Sequence, residues 1–154
     1  MDFEPIQFTR TGTITVRAAL HDVFPLLCPK REEEWIPGWQ CETIWSRSGH
    51  NEEGAIFRTW IPYGTELYWT TIHYDMNRKL VDFLITAPRL FMFRFRIELA
   101  VRSERVDMAF TQTFTSISKE GNGFLENYRT EDYQGRLRSL EGYMNQYLEE
   151  KAES

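Results

Sequence analysis

Thr130-Glu-Asp-Tyr-Gln-Gly-Arg-Leu-Arg-Ser-Leu-Glu-Gly-Tyr-Met-Asn-Gln-Tyr-Leu-Glu-Glu-Lys151 decides how the rest of the chain must fold. Tyr133, Leu137, Leu140, Met144, Tyr147 and Leu148 recur at helical spacing, which places them on one face of a single amphipathic helix. Thr130 is read as its N-cap, with Glu131 and Asp132 in the first turn, where the helix dipole favours negative charge. Gly135 and Gly142 fall on the opposite face, as residues tolerated at the surface. An apolar stripe of this length needs an apolar surface to lie on, and upstream almost everything reads as strand.

Working outward from the helix, Arg105–Ile117 and Leu90–Arg102 give the clearest alternation. Phe91, Phe93, Phe95, Ile97 and Leu99 share one face, opposite Met92, Arg94, Arg96 and Glu98. Val106, Met108, Phe110, Gln112 and Phe114 share a face opposite Asp107, Thr111, Thr113 and Thr115. The apolar faces must meet the helix and the polar faces water. Gly121-Asn122-Gly123 reads as the end of the sheet, leading through Phe124–Arg129 into the helix.

Phe8–Arg17 reads as the first strand, followed by two short helices, Ala18–Leu27, shortened by Pro25, and Lys30–Trp35, preceded by Pro29. Ile36-Pro37-Gly38-Trp39 is a turn. Strands are expected at Gln40–Arg47, Ala55–Ile61, Glu66–Tyr74 and Leu80–Thr86. The expected architecture is α+β. A curved antiparallel sheet wraps around a long C-terminal helix, with two short helices after the first strand, and residues 1–154 form a single domain.

This order resembles the helix-grip fold of the START-like, or SRPBCC, superfamily, which includes birch-pollen-allergen-like proteins and polyketide cyclases. Val23-Phe24-Pro25-Leu26-Leu27-Cys28-Pro29 and Glu34-Trp35-Ile36-Pro37-Gly38-Trp39 look like the opening of a bacterial SRPBCC subfamily with no assigned activity. Ser48-Gly49 and Gly54-Ala55-Ile56-Phe57 continue the likeness. The resemblance implies a cavity between sheet and helix, roofed by the short helices, that holds an apolar small molecule.

Composition agrees with such a cavity. Aromatic residues make up 15% of the chain, with 5 Trp, 7 Tyr and 11 Phe, more flat apolar surface than a core of this size needs. The net charge of −5 and scattered cations make nucleic acid an unexpected partner. No run approaches a membrane span, and a cytoplasmic location is the default. Cys28 and Cys41 carry no signature spacing and read as free thiols. No metal site and no cofactor is expected.

The expected ligand-binding residues are Trp35, Trp39, Trp69, Thr71, His73, Phe93, Phe95, Phe110, Gln112, Leu137 and Met144. Trp35 and Trp39 form either an aromatic lid or a plug at the end of the sheet. Trp69, Thr71 and His73 alternate onto one strand face. If that face is concave, His73 is the best general acid or base in the chain; if convex, it is a surface residue. Glu34 is a second catalytic candidate, because a carboxylate drawn into an aromatic pocket has a raised pKa. Tyr63, on the Pro62-Tyr63-Gly64 turn, is a third. Arg58 is expected to face outward, since an unpaired buried charge is costly.

The leading functional reading is binding or transport of a small hydrophobic or aromatic molecule. The alternatives are a polyketide cyclase or dehydratase-like enzyme, which needs at least two of His73, Glu34 and Tyr63 in one pocket, and a protein-interaction module with an exposed apolar patch. An edge strand also leaves a homodimer open.

Overall fold

The computed structural model describes residues 2–61 and 64–154, so the Tyr63 candidate lies outside the described residues. Its seven strands are β1 (Gln7–Val16), β2 (Glu42–Trp45), β3 (Ile56–Trp60), β4 (Glu66–Asp75), β5 (Leu80–Ala87), β6 (Phe91–Arg102) and β7 (Arg105–Ser116). They form one antiparallel sheet in the order β1-β7-β6-β5-β4-β3-β2. From β2 onward each strand pairs with the next, whereas β1 sits at the far edge beside β7. The chain between β1 and β2 must therefore cross from one edge to the other. It does so through α1 (Leu20–Val23), a 3-10 turn at Phe24–Leu26 and a second at Arg31–Glu34. These are the expected short helices, and they roof the sheet.

After β7 the structure differs from the expected path. The Gly121–Arg129 stretch is no connector: α2 spans Lys119–Thr130, and α3 spans Tyr133–Glu153. Ser118 caps α2 by accepting from the Gly121 amide at 3.0 Å. Two glycines in three residues disfavour a helix by about 1 kcal/mol each relative to alanine. Packing explains the first: a Cβ on Gly121 would sit 1.7 Å from the Leu90 carbonyl oxygen. Thr130 is the end of α2 rather than the cap of α3. Asp132 caps α3, its carboxylate accepting from the Gly135 amide at 2.9 Å.

The faces of β6 and β7 are as the alternation predicts, with Phe91, Phe93, Ile97, Leu99, Val106, Met108, Phe110, Gln112 and Phe114 buried. Phe93 stacks on Phe114 at 4.4 Å, and Phe95 meets Phe110 edge-on at 5.5 Å. In α3, Tyr133, Leu137 and Met144 are buried against the sheet. β2 is shorter than expected because the chain before it is tied to the roof, the Cys41 amide donating to the Glu33 carboxylate at 3.0 Å. Arg58 faces outward, paired with Glu42.

Alternation fails within β4. Thr71 pairs with Phe83, yet His73 pairs with Asp82, so Ile72 is an extra residue in the ladder. This bulge reverses the faces beyond it. Trp69 and Thr71 point inward; His73 points out, and Tyr74 turns in to pack on Phe24 at 4.7 Å. The expectation that Trp69, Thr71 and His73 share a face is thereby corrected.

Candidate ligand-binding cavity

Between the concave sheet face, the roof and α3 lies a cavity of about 500 Å³. Its walls are largely aromatic. Phe93 and Phe95 come from β6, Phe110 and Phe114 from β7, Trp69 from β4, and Leu137 and Met144 from α3. Trp35 and Trp39 come from the roof, on either side of the Pro37-Gly38 turn. Gly38 has φ +77°, and the Trp39 amide returns to the Ile36 carbonyl at 3.2 Å, which closes the turn. Exposed lining residues, Trp60 and Pro37 on one side and Arg136, Ser139 and Tyr143 of α3 on the other, mark where the cavity reaches solvent.

The indoles are held by their N–H groups as well as by packing. Trp35 donates to the Leu26 carbonyl at 3.3 Å, and Trp39 donates to that of Pro29 at 2.8 Å. Trp69 donates to the Thr59 hydroxyl at 2.8 Å and meets Trp39 edge-on at 6.1 Å. The N–H groups of three rings are thus satisfied without using the cavity.

Few polar groups reach the cavity. Arg10, on β1, donates to Gln112 at 2.7 Å and to the Tyr128 carbonyl at 3.2 Å, and is ion-paired with Glu131. Its guanidinium lies 4.0 Å from the centre of the Tyr133 ring. A cation so fully engaged is structural wall. Two groups are different. The Tyr133 hydroxyl is buried with no hydrogen-bond partner among the described residues, and burial raises its pKa. Glu32 also lines the cavity, and burial pushes its carboxyl well above the usual range. Glu32 is only half-buried by area, yet its carboxyl is surrounded by protein.

Of the expected ligand-binding residues, Trp35, Trp39, Trp69, Phe93, Phe95, Phe110, Gln112, Leu137 and Met144 come together here. Thr71 and His73 do not. Thr71 donates to the Asn51 side chain at 2.6 Å, and Asn51 donates to the Leu27 carbonyl at 3.0 Å, a chain of bonds that moors the roof to the sheet. On the outer face His73 lies 3.2 Å from Asp82, whose carboxylate also accepts from Arg94 at 2.6 Å. Burial pushes Asp82 up, but Arg94 and His73 outweigh it and hold the carboxyl below its usual value.

Glu34 is on the outside as well. It is exposed, paired with Arg31, and accepts from the Tyr147 hydroxyl at 2.7 Å. The Arg31 contact lowers its pKa, opposite to the expectation. In the acidic run Glu32-Glu33-Glu34 the residue that reaches the cavity is Glu32, not the expected Glu34. Glu33 pairs with Lys30, and Glu32 alone turns inward. Neighbours along the sequence carry no signal for this, because a 3-10 turn sends consecutive side chains in different directions. Arg10 was likewise missed, although it lies in register with Gln112 across β1 and β7.

Cys28 and Cys41 are buried free thiols, and burial raises both pKa values, that of Cys41 to about 12. Among the described residues no cluster of His, Cys, Asp and Glu is placed to hold a metal ion, and no helix is long and apolar enough to cross a membrane.

No family model matches the sequence, and no curated protein matches it. Solved structures do. Norcoclaurine synthase from Thalictrum flavum aligns with a TM-score of 0.66 at 12% identity, covering 94% of this chain and 87% of that one. The same synthase in complex with dopamine and hydroxybenzaldehyde aligns at 0.65 and 14%, covering 95% and 88%. The ZhuI aromatase/cyclase of a Streptomyces species aligns at 0.63 and 15%, covering 93% and 96%. At such identities the likeness is one of fold.

Proposed function

We propose that this chain, which has the helix-grip fold of the SRPBCC superfamily, binds a small hydrophobic or aromatic molecule between its sheet and α3. The observation that carries this reading is the cavity of about 500 Å³, walled by aromatic rings whose polar edges are already satisfied. Space of this size with few polar groups favours apolar guests, since each CH₂ removed from water contributes about 0.8 kcal/mol. The test is fluorescence of N-phenyl-1-naphthylamine, a neutral aromatic probe. Its emission should rise with the wild-type protein, and the rise should be lost in Leu137→Trp, which fills the cavity from α3. An equal rise in both proteins, or none in either, would refute binding at this place.

A second reading, chemistry of the cyclase or dehydratase type, is favoured by one observation: Glu32 and Tyr133, both proton carriers, line the same cavity without partners among the described residues. It replaces the pairing of His73 with Glu34. Loss of turnover in both Glu32→Gln and Tyr133→Phe, with N-phenyl-1-naphthylamine still bound, would separate it from simple carriage.

A further inference from the structure

Among the described residues, the Glu32 carboxyl has no hydrogen-bond or ion-pair partner. Its neighbours on the same 3-10 turn are matched: Glu33 with Lys30 and the Cys41 amide, Glu34 with Arg31 and Tyr147. The two arginines that line the cavity are both engaged by one carboxylate. Arg10 is held by Gln112, Tyr128 and Glu131, and Arg136 by the same Glu131. No side chain among the described residues bonds to the Glu32 carboxyl, and burial alone sets its protonation. The thiols of Cys28 and Cys41 are titratable groups close enough to feel it, and both are neutral at ordinary pH.

Glu32 shares the cavity wall with Trp35 and Trp39 of the roof and with Trp69 and Trp60 of the sheet. Indole faces attract cations, and the attraction grows when water is excluded. A desolvated carboxyl in a cavity walled by indoles is the pair of features that an ammonium group satisfies at once. It needs an anion to accept its N–H bonds and a polarisable wall around its remaining surface.

Resting on the proposed cavity binding, we infer that the ligand is an apolar or aromatic molecule bearing one basic amine, held as an ammonium against Glu32 with its apolar body among the phenylalanines of β6 and β7. Burial in the empty cavity favours the neutral acid of Glu32, and a bound ammonium favours the carboxylate.

Two probes of matched shape test this, phenethylamine and 2-phenylethanol, measured by calorimetry at about pH 8, where an alkylamine remains protonated. The amine should bind about tenfold or more tightly than the alcohol, as a charge-assisted bond in a desolvated site requires. In Glu32→Gln that preference should vanish while the alcohol binds as before, which also shows that the variant is folded. Glu34→Gln, on the outer side of the same turn, should keep the preference. An alcohol bound as tightly as the amine, or a preference that survives in Glu32→Gln, overturns the amine assignment and leaves cavity binding standing. Binding of neither probe overturns both.

Discussion

Gly12 of β1 and Leu137 of α3 stand so close that a Cβ on the glycine would lie 2.0 Å from the leucine Cδ1. The glycine lets α3 descend onto the edge strand, and the leucine that fills the gap is also part of the cavity wall. Gly12→Ala must push Leu137 toward the open space. Because the clash is with the end of a flexible side chain, the cost should be about 1 kcal/mol, the low end for overpacking. The displaced methyl should also shrink the cavity and weaken N-phenyl-1-naphthylamine binding. Urea unfolding and probe titration on the same variant check both; unchanged binding would mean that Leu137 moves elsewhere.

Much of this arrangement was legible in the sequence, because periodicity speaks for itself where one face is buried throughout. The alternation in β6 and β7 and the stripe on α3 fixed two opposite walls of the cavity, and the Pro37-Gly38 turn placed the two roof indoles. What was not legible depends on three-dimensional neighbours. The bulge at Ile72 leaves the residue pattern of β4 intact while reversing His73. Gly121 reads as part of a break because Leu90, whose carbonyl it accommodates, lies 31 residues earlier. Within the acidic run, the inward residue is chosen by how the roof packs.

Glu32 should make stability fall as pH rises. Its pKa is raised in the folded state by burial, so the folded protein holds a proton that the unfolded chain releases. Its stabilising effect is complete below the unfolded carboxyl value, near about 4.3, and is lost progressively as pH climbs through the folded value. Glu32→Gln removes the titration. The variant should match the wild type at about pH 4 and be the more stable of the two at neutral pH and above. Urea midpoints across that range measure it, and a difference that does not change with pH would show that the carboxyl is solvated.

Cys28 and Cys41 should be silent toward thiol reagents. Both are buried, and burial holds the Cys41 thiol up at about 12, so almost none is thiolate at neutral pH. The aromatic disulfide reagent DTNB should label neither in the folded protein and both in urea. Labelling at the rate of a small-molecule thiol without denaturant would contradict the packing of the roof.

On the outer face, Asp82 should matter for stability and His73 should not. The Asp82 side chain is fully buried, although Arg94 and His73, which contact it, are partly exposed. Asp82→Asn removes the charge from its hydrogen bonds to Arg94, and the expected loss is about 2 kcal/mol, typical of bonds to a charged group. His73→Ala leaves the Arg94 contact in place, and because the histidine is on the outer surface, the change should be within about 0.5 kcal/mol. Neither substitution reaches the cavity, so N-phenyl-1-naphthylamine affinity should be unchanged in His73→Ala. A loss of binding in that variant, with the fold intact, would return the histidine to the site from which the β4 bulge removes it.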